Sequence, residues 1–221
     1  MMNVEDAILQ RRSVRGFLPR VVPEDTMREI FALAQRAPSN CNIQPWLSHV
    51  VSGASLKALG DRMVKAASAG IPPDPDFTAD RKFTGMYRTR QIDAAVQLYG
   101  AMGIERNDRE GRNAAYLRNL ESFGAPHTVF VFMSGAFEER EAVDLGIYAQ
   151  TLMLAMTARG IGSCAQGALS LYPTIIRDHL GLPEDHRLIF GISFGYEDEA
   201  IAANHARVGR DALDAAITFH Q

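Results

Sequence analysis

Two runs of apolar residues predict buried strands, and they constrain the fold of this chain more than any other feature. His127–Met133 reads HTVFVFM, and a run this apolar predicts a strand that is buried on both faces. Arg187–Gly195 is a second apolar strand, and Trp46–Ser52 is predicted as a third. Helical patterns outnumber these strands and do not alternate with them regularly. The sequence therefore predicts an α+β layer fold and not a doubly wound parallel sheet.

Apolar residues spaced three to four apart predict helices around these strands. The predicted helical segments are Val4–Arg12, residues 23–37, Leu56–Ala69, Thr89–Ala101, Arg109–Ser122, Glu138–Arg159 and Tyr172–Leu180. Asn3 is expected to cap the first of them. Asp211–Thr218 is predicted as a short terminal helix or strand, and residues 71–76, rich in proline, as a loop.

The same spacing predicts which helical residues face the core. Ile8 and Leu9 are expected to face inward from the first helix. The expected core residues of the long helix Glu138–Arg159 are Val143, Ile147, Leu152, Ala155 and Met156. A weakly polar face of this helix could contact another subunit as easily as solvent, and it is formed by Gly146, Ala149, Gln150 and Met153.

Charge and hydropathy exclude several classes of protein. The 23 Lys and Arg and 26 Asp and Glu give a net charge of −3, so no excess of positive charge is available to bind a nucleic-acid backbone. The longest apolar stretch, around Leu145–Met156, is shorter than the roughly 20 residues that span a membrane. The N-terminus is acidic where a secretory signal is basic and then apolar. A cytoplasmic protein without nucleic-acid or membrane partners is predicted.

Metal-ligand spacing is not found in this sequence. The two cysteines, Cys41 and Cys164, are far apart, and the six histidines show no H-E-x-x-H or comparable pattern. Each histidine is interpreted as a surface residue or a hydrogen-bonded core residue. No metal site is predicted.

Two short patterns match enzyme motifs but lack their structural context. Residues 160–165 (GIGSCA) fit the dinucleotide fingerprint, yet a long predicted helix precedes them where a strand is required, so a helix cap and turn are predicted. Residues 191–195 (GISFG) fit the nucleophile elbow of hydrolases, with Asp198 and His205 following in the right order. An acidic stretch follows Gly195 where that motif needs a helix, so a buried strand end around Ser193 is favoured.

Basic residues are concentrated near both ends of the chain. Residues 11–17 read RRSVRGF, and their arginines could simply complement the negative end of the first helix. They could equally anchor a phosphate or a polyol, because guanidinium groups bind phosphate oxygens in pairs. Arg207 and Arg210 form a second basic group in an acidic neighbourhood. Two separate clusters favour a small anion over a polymer.

Residues 37–46 (APSNCNIQPW) place two asparagines, a serine and a glutamine between two prolines. Such a segment is either an ordinary asparagine-rich loop or a site for a polar, planar ligand. The density of amide groups beside Trp46 favours the ligand site.

These segments resemble, in order, the nitroreductase family of FMN-dependent oxidoreductases. With the turn GIGSCAQG at residues 160–167, FGAP at 123–126 and NHARVGR at 204–210, the resemblance covers essentially the whole chain, 1–221, as one FMN-binding domain. The middle region is most similar to the nitrobenzoate-reductase-like branch. The resemblance implies a three-layer α/β/α fold with a central, mostly antiparallel sheet. It also implies an obligate homodimer with two FMN sites at the subunit interface.

The resemblance also implies roles for individual residues. At the phosphate and ribityl chain of FMN it places Arg11, Ser13, Arg207 and Arg210, with Arg12 assisting and Arg210 preferred over Arg207. Arg15 corresponds to a basic position near flavin N1 and O2, where the reduced ring gathers negative charge. The loop that contacts the flavin ring from the partner subunit corresponds to Pro38, Ser39, Asn40 and Asn42. The backbone N–H groups of Gln166 and Gly167 face N5 and O4.

The expected activity is an NAD(P)H-dependent reduction of nitroaromatic or quinone-type acceptors. NADPH or NADH delivers hydride to flavin N5, and the acceptor then occupies the same pocket, which gives ping-pong kinetics and needs no side-chain nucleophile. Residues 71–118 are predicted to cover the substrate, and the candidates for contact with it are Phe83, Tyr87, Arg88 and Tyr99. Cys41 and Cys164 are interpreted as packing residues. The alternatives are a flavin-binding regulatory protein without turnover, and another flavin reduction such as enoate reduction or dehalogenation.

Overall fold

A computed structural model describes residues 2–78 and 82–220 as one antiparallel sheet with helices on both faces. The strands are β1 (Leu47–Ser52), β2 (His127–Ser134), β3 (Gly162–Gln166) and β4 (His186–Gly195). The helices are α1 (Val4–Gln10), α2 (Glu24–Ala34), α3 (Gly53–Ser68), α4 (Gly85–Ala101), α5 (Arg109–Leu120), α6 (Glu139–Thr157) and α7 (Pro173–Leu180). Short 3₁₀ turns lie at Asn40–Asn42, Ser122–Gly124, Gly167–Ser170, Ala202–His205 and Leu213–Ala215.

The sheet has the strand order β1-β2-β4-β3, and all three pairings between its strands are antiparallel. The two most apolar strands, β2 and β4, therefore lie at the centre. A shift of register after Val131 leaves one extra residue in β4 and bends the pair there. The strand β3 is at one edge of the sheet, which leaves one side of its backbone open to other segments.

Two hydrophobic cores lie on opposite faces of the sheet, because side chains alternate along β2. Val129, Val131 and Met133 pack in one core with α2 and α6. Phe130 and Phe132 pack in the other with α3 and α7. All five side chains are fully buried. The three-layer α/β/α arrangement and the doubly buried strand are thus confirmed.

The helix ends follow local sequence signals. The side chain of Asn3 accepts a hydrogen bond from the Asp6 N–H at 2.9 Å and caps α1 as predicted. Pro173 occupies the first turn of α7, and Gly181 ends it with a φ of 65°. Within the described residues, no helix has the length and apolar character needed to cross a membrane.

Four residues that were expected in the core are exposed in the chain. Ile8 and Leu9 are 53% and 76% exposed, because α1 buries only its Ala7 side. Val143 and Ile147, four residues apart on α6, also face away from the sheet. The expected positions Leu152, Ala155 and Met156 are buried, and so is Ala149 of the weakly polar face. The exposed side chains form apolar surface that a single chain leaves uncovered.

The strand β3 is absent from the sequence prediction, which assigned residues 160–167 to a turn. Gly160 ends α6 with a φ of 69°, so the helix cap is confirmed, but the chain then enters the sheet. Gly162–Gln166 (GSCAQ) has little intrinsic preference for a strand. Pairing with the apolar strand β4 supplies the stabilisation instead. The predicted C-terminal element is likewise reduced to the short turn Leu213–Ala215.

The proline-rich loop at residues 71–78 is fastened to the sheet by one carboxylate. Asp76 accepts hydrogen bonds from Arg177 Nη1 at 2.6 Å and from the Leu188 N–H at 2.8 Å. Both side chains of the Asp76–Arg177 pair are 13% exposed. Arg187 donates to the Asp76 carbonyl and lies 4.0 Å above the Phe77 ring. This end of the predicted substrate cover is therefore held in place by buried polar contacts.

Asp76→Ala should lower the free energy of unfolding by about 3–5 kcal/mol, because it leaves a buried guanidinium and a backbone N–H without their acceptor. Asp61→Ala is a matched control, since Asp61 pairs with Lys57 on the exposed face of α3. Loss of that surface pair should cost only about 0.5 kcal/mol. Chemical denaturation measures both values. Equal losses in the two variants would contradict the anchoring role of Asp76.

Candidate functional site

The two basic clusters from opposite ends of the chain line one cavity. Its volume is about 730 Å³, and α4 forms the wall facing the arginines. The predicted site residues in its lining are Arg11, Arg12, Ser13, Arg15, Tyr99, Arg207 and Arg210. Arg90 of α4 forms an ion pair with Asp211, which joins this wall to the C-terminal segment.

The basic segment after α1 runs along the open edge of the sheet. The Val14 N–H donates to the Ser163 carbonyl at 3.0 Å, and Ser13 and Ser163 form a parallel bridge. Further on, the Leu18 N–H donates to the Tyr196 carbonyl at 2.8 Å. Gly162 allows this close approach, since a Cβ there would lie 2.8 Å from Val14. Backbone contacts therefore hold residues 11–18 against the sheet.

Asn204 links this segment to the C-terminal basic cluster. It is 2% exposed, and its Oδ1 accepts a hydrogen bond from the Arg15 N–H at 2.6 Å. Its Nδ2 donates to the carbonyls of Gly16 and Asp198 at 2.9 and 2.8 Å. Gly16 packs so closely on Ile201 that a Cβ would lie 2.5 Å away. One buried amide thus determines where both groups of arginines lie.

The arginines of the cavity differ in how they are neutralised. Arg12 forms a two-pronged ion pair with Glu197, with contacts of 2.6 and 2.5 Å. Among the described lining residues, Glu197 is the one acidic side chain. Arg15, Arg207 and Arg210 donate only to backbone carbonyls, and Arg11 forms no ion pair with any residue in 2–78 or 82–220. The cavity therefore keeps a strong positive charge suited to an anion.

The ion pair gives Arg12 a structural role in addition to the predicted one. The pair uses two of the five guanidinium N–H groups, and the Glu197 carboxylate offsets the positive charge of Arg12. The geometry of the pair ties the segment after α1 to the end of β4. A direct part of Arg12 in phosphate binding stays a prediction.

The amide-rich loop at residues 38–44 does not reach the cavity within one chain. Asp144, buried in α6, accepts a hydrogen bond from the Asn40 N–H at 3.0 Å. Ser39 Oγ accepts one from the Gln44 N–H at 2.9 Å. The loop also holds three residues other than glycine at positive φ, namely Cys41 (49°), Asn42 (57°) and Gln44 (48°). Such backbone strain is commonly found at ligand sites.

Gln166 and Gly167 lie at the end of β3, outside the lining of the cavity. Gln166 is buried, whereas Ala165 and Gly167 are exposed. The Ser163 carbonyl points away from β4 towards Val14. Because backbone groups alternate in direction along a strand, those of Ala165 also point outward. The edge of β3 beyond Ser163 therefore offers polar backbone groups to a ligand.

The four predicted substrate contacts are not brought together. Tyr99 lines the cavity, but Phe83 and Tyr87 are 51% and 62% exposed, and Arg88 donates to Gln91 at 2.6 Å on the surface of α4. Arg90 lies 5.7 Å from the Tyr87 ring. Residues 79–81 of the predicted cover lie outside the described residues. A covering role for residues 71–118 stays a prediction.

Three residues of the site were missed in the sequence. Asn204 stands within the NHARVGR motif, but short-range spacing gives no sign of its contact with Arg15. Glu197 was interpreted only as part of an acidic loop. Asp144 carried the clearest signal, because a lone carboxylate on an otherwise apolar helix face requires a partner.

The motif-like patterns carry no catalytic geometry of their own. Ser193 is fully buried and donates to Gln166, while His205 bonds the Glu199 carbonyl. Ser193 and His205 therefore do not form a catalytic pair. His127 accepts from the Val22 N–H and so must donate from Nδ1 to Ser52, as a hydrogen-bonded core histidine. Within the residues described, no group of three or more His, Cys, Asp or Glu could hold a metal ion.

Comparison with known proteins identifies the family. The model of the nitroreductase family matches residues 8–196. The chain belongs to the nitroreductase family. The predicted family and fold are thus confirmed. In this chain, the nitroreductase fold carries the basic cavity and the open edge of β3 described above.

Similar nitroreductases cover nearly the whole chain. The nitroreductase NfnB of Mycolicibacterium smegmatis is 44% identical over 97% of this chain and 92% of its own length. A 4-nitrobenzoate reductase of Pseudomonas putida is 32% identical over 95% of this chain and 92% of its own. The crystal structure of the FMN-dependent nitroreductase NfnB from Mycobacterium smegmatis in complex with NADPH has a TM-score of 0.94 and 43% identity, and the match covers 98% of this chain and 97% of that one. An FMN- and NADPH-dependent NfnB from Sphigopyxis sp. strain HMH has a TM-score of 0.95 and 32% identity, with both chains fully covered.

Cys164 lies behind the basic segment, packed against Val14, Phe17 and Phe123. Burial raises the pKa of its thiol, and the opposing effects of Arg15, a hydrogen bond with Ser13 and Arg11 only partly offset this. Cys164 therefore stays protonated at neutral pH. This agrees with its interpretation as a packing residue.

A Cys41→Ser variant leaves Cys164 as the one thiol of the chain. We expect no reaction with a chromogenic disulfide reagent at pH 7 in the folded protein, and full reaction after unfolding in guanidinium. Cys164→Ser, which keeps Cys41, is the control for reagent access. Rapid modification of folded Cys41→Ser would contradict the raised pKa and the burial of Cys164.

Proposed function

We propose that this nitroreductase is an FMN-dependent NAD(P)H oxidoreductase that reduces nitroaromatic or quinone-type acceptors. The observation that carries the proposal is the cavity of arginines that opens beside the free edge of β3. Its positive charge fits a phosphate, and the strand edge fits the polar rim of a flavin. The names of the similar enzymes, which include NfnB and 4-nitrobenzoate reductases, support the same activity.

The phosphate of FMN is assigned to Arg11, Arg207 and Arg210, whose guanidinium groups line the cavity without carboxylate partners among the described residues. Ser13, at the bridge to β3, is assigned to the ribityl chain. Arg12 supports the segment through Glu197. Arg207 and Arg210 both remain candidates for direct contact.

The flavin ring is assigned to the outer edge of β3. The Gly167 N–H, just past the end of β3, would donate a hydrogen bond to it, whereas by the same alternation the Gln166 N–H faces β4. Arg15 would stabilise negative charge on the N1–O2 side of the ring. Bound FMN would supply the hydride chemistry between NAD(P)H and the acceptor, and one shared pocket would give ping-pong kinetics. The chain itself provides position and charge.

A homodimer would complete this site. In such a dimer, Pro38, Ser39, Asn40 and Asn42 from a second copy would cover the ring. The uncovered apolar residues support association, because Leu9, Val143 and Phe219 are 76%, 62% and 77% exposed. Phe83, just before α4, and Tyr87, on α4, are exposed and would then face the acceptor of the assembled site. A cytoplasmic location stays a prediction.

The first test is an absorbance spectrum of the gel-filtered protein followed by anaerobic NADPH. Flavin bands near one equivalent per chain should bleach with NADPH and return on addition of 4-nitrobenzoate. Bound flavin that NADPH and NADH both fail to bleach would favour the regulatory flavin-binding alternative. Absence of flavin, even after incubation with FMN, would contradict the proposal.

Arg11→Gln should weaken FMN binding by at least about tenfold, because it removes a charge-assisted contact worth about 1.5–3 kcal/mol. Arg12→Gln should change FMN affinity less and lower the thermal unfolding midpoint more, since it leaves the partly buried Glu197 unpaired. Arg28→Gln, which breaks an exposed pair on α2, controls for net charge. Flavin fluorescence titration and thermal melts measure these effects. A larger loss of affinity in Arg12→Gln than in Arg11→Gln would reverse the assignment.

A further inference from the structure

A chain of buried polar side chains crosses the sheet beneath the end of β3. It runs from Thr128 in β2 through Ser193 in β4 and Gln166 in β3 to Asn119 in α5. Thr128 and Ser193 are fully buried, and Gln166 is 4% exposed. None of these residues lines the basic cavity or carries a role in the site described above through its side chain.

The direction of every hydrogen bond in this chain is determined. The Gln166 Nε2 donates to the Asn119 carbonyl at 3.0 Å, so its Oε1 must be the atom that faces Ser193. Ser193 has one hydroxyl proton and gives it to that oxygen. The contact of 3.3 Å between Thr128 and Ser193 must then be donated by Thr128. The Gln166 amide is thereby fixed in one orientation.

The pattern G-x-S-x-G in β4 gains a structural reason from this chain. A Cβ on Gly191 would lie 2.5 Å from Leu169, which belongs to the 3₁₀ turn beginning at Gly167. A Cβ on Gly195 would lie 2.7 Å from Pro126. Gly191 therefore lets the turn pack onto β4. Ser193 bonds Gln166, the residue just before that turn.

A buried hydrogen-bonded chain adds little net stability compared with apolar residues of the same shape. Its physical effect is to restrict Gln166 to one geometry, since any other leaves a buried polar atom without a partner. The backbone at Gln166 and Gly167 is the part of the chain that this restriction orients.

We propose that Ser193 is a positioning residue, which acts through Gln166 to aim the Gln166–Gly167 backbone at the reactive edge of the flavin. This inference rests on the proposed function, because it requires FMN at that edge. Ser193 then controls how well the ring is presented for hydride transfer, while the arginines control how tightly FMN binds.

The test compares Ser193→Ala with Ser163→Ala in the FMN-loaded protein. Ser163 is 2% exposed on the neighbouring strand, and its Oγ has no hydrogen-bond partner within the described residues, so it matches Ser193 in burial but not in bonding. Anaerobic stopped-flow with NADPH measures the rate constant of flavin reduction and the NADPH concentration for half-maximal rate. Flavin fluorescence measures the Kd for FMN.

Ser193→Ala should slow flavin reduction by at least about tenfold, the size expected for slight misalignment of reacting groups. The Kd for FMN and the half-saturating NADPH concentration should stay at wild-type values. Ser163→Ala should reduce at the wild-type rate. Thr128→Val keeps the bond from Ser193 to Gln166, so it should slow reduction less than Ser193→Ala does. It replaces Ser193→Ala as the test variant where Ser193→Ala does not fold.

Two results overturn the positioning role. One is reduction at the wild-type rate in Ser193→Ala and Thr128→Val. The other is a loss of rate that a structural defect explains. Such a defect is indicated where Ser193→Ala loses FMN affinity to the same extent, or where Ser163→Ala loses as much rate. Wild-type protein that binds FMN but is reduced by neither NADPH nor NADH contradicts the proposed function itself, so the two failures are distinguishable.

Discussion

The contact between the two ends of the chain, made by the side chain of Asn204, is the constraint on which the candidate site depends. Its amide accepts from the Arg15 N–H and donates to Gly16, a residue almost 190 positions earlier in the sequence. Neither cluster of arginines could hold an anion alone, because each is a short segment outside the helices and strands. The buried amide replaces water at three backbone groups at once, and one orientation of it satisfies all of them. The spacing of the guanidinium groups follows from that geometry.

The same contact creates an electrostatic problem that the ion pair of Arg12 partly relieves. Arginines brought to one cavity repel each other, and the Glu197 carboxylate neutralises Arg12. The others remain without carboxylate partners among the described residues, so a bound dianion would reduce the repulsion that remains. This arrangement divides the arginines into one that fixes the chain and several that are free to bind.

The sequence predicts the parts of this structure that depend on local composition and misses those that depend on pairing. The apolar strands β2 and β4, the cap at Asn3 and the helix end at Gly181 are found because their signals lie within a few residues. The strand β3 is not found, because GSCAQ forms a strand only through its partner β4. The spacing of Ile8 and Val143 correctly indicates amphipathic helices, but it cannot tell a core from a surface that one chain leaves open. Motif resemblance found the basic residues of the cavity, whereas Asn204, Glu197 and Asp144 became visible only through their contacts.

The support of the two predicted ring-binding segments follows one physical rule, although they lie on different elements. At the end of β3, Ser193 and Asn119 satisfy a buried amide, and at residues 38–44 the buried carboxylate of Asp144 accepts from the Asn40 N–H. In both places an interior side chain fixes an exposed backbone, which leaves the exposed groups free for a ligand. The strained residues Cys41, Asn42 and Gln44 show the need for such support, because their left-handed backbone carries a conformational cost. A loop held at that cost and kept away from the cavity of its own chain is consistent with a surface that acts on a second copy.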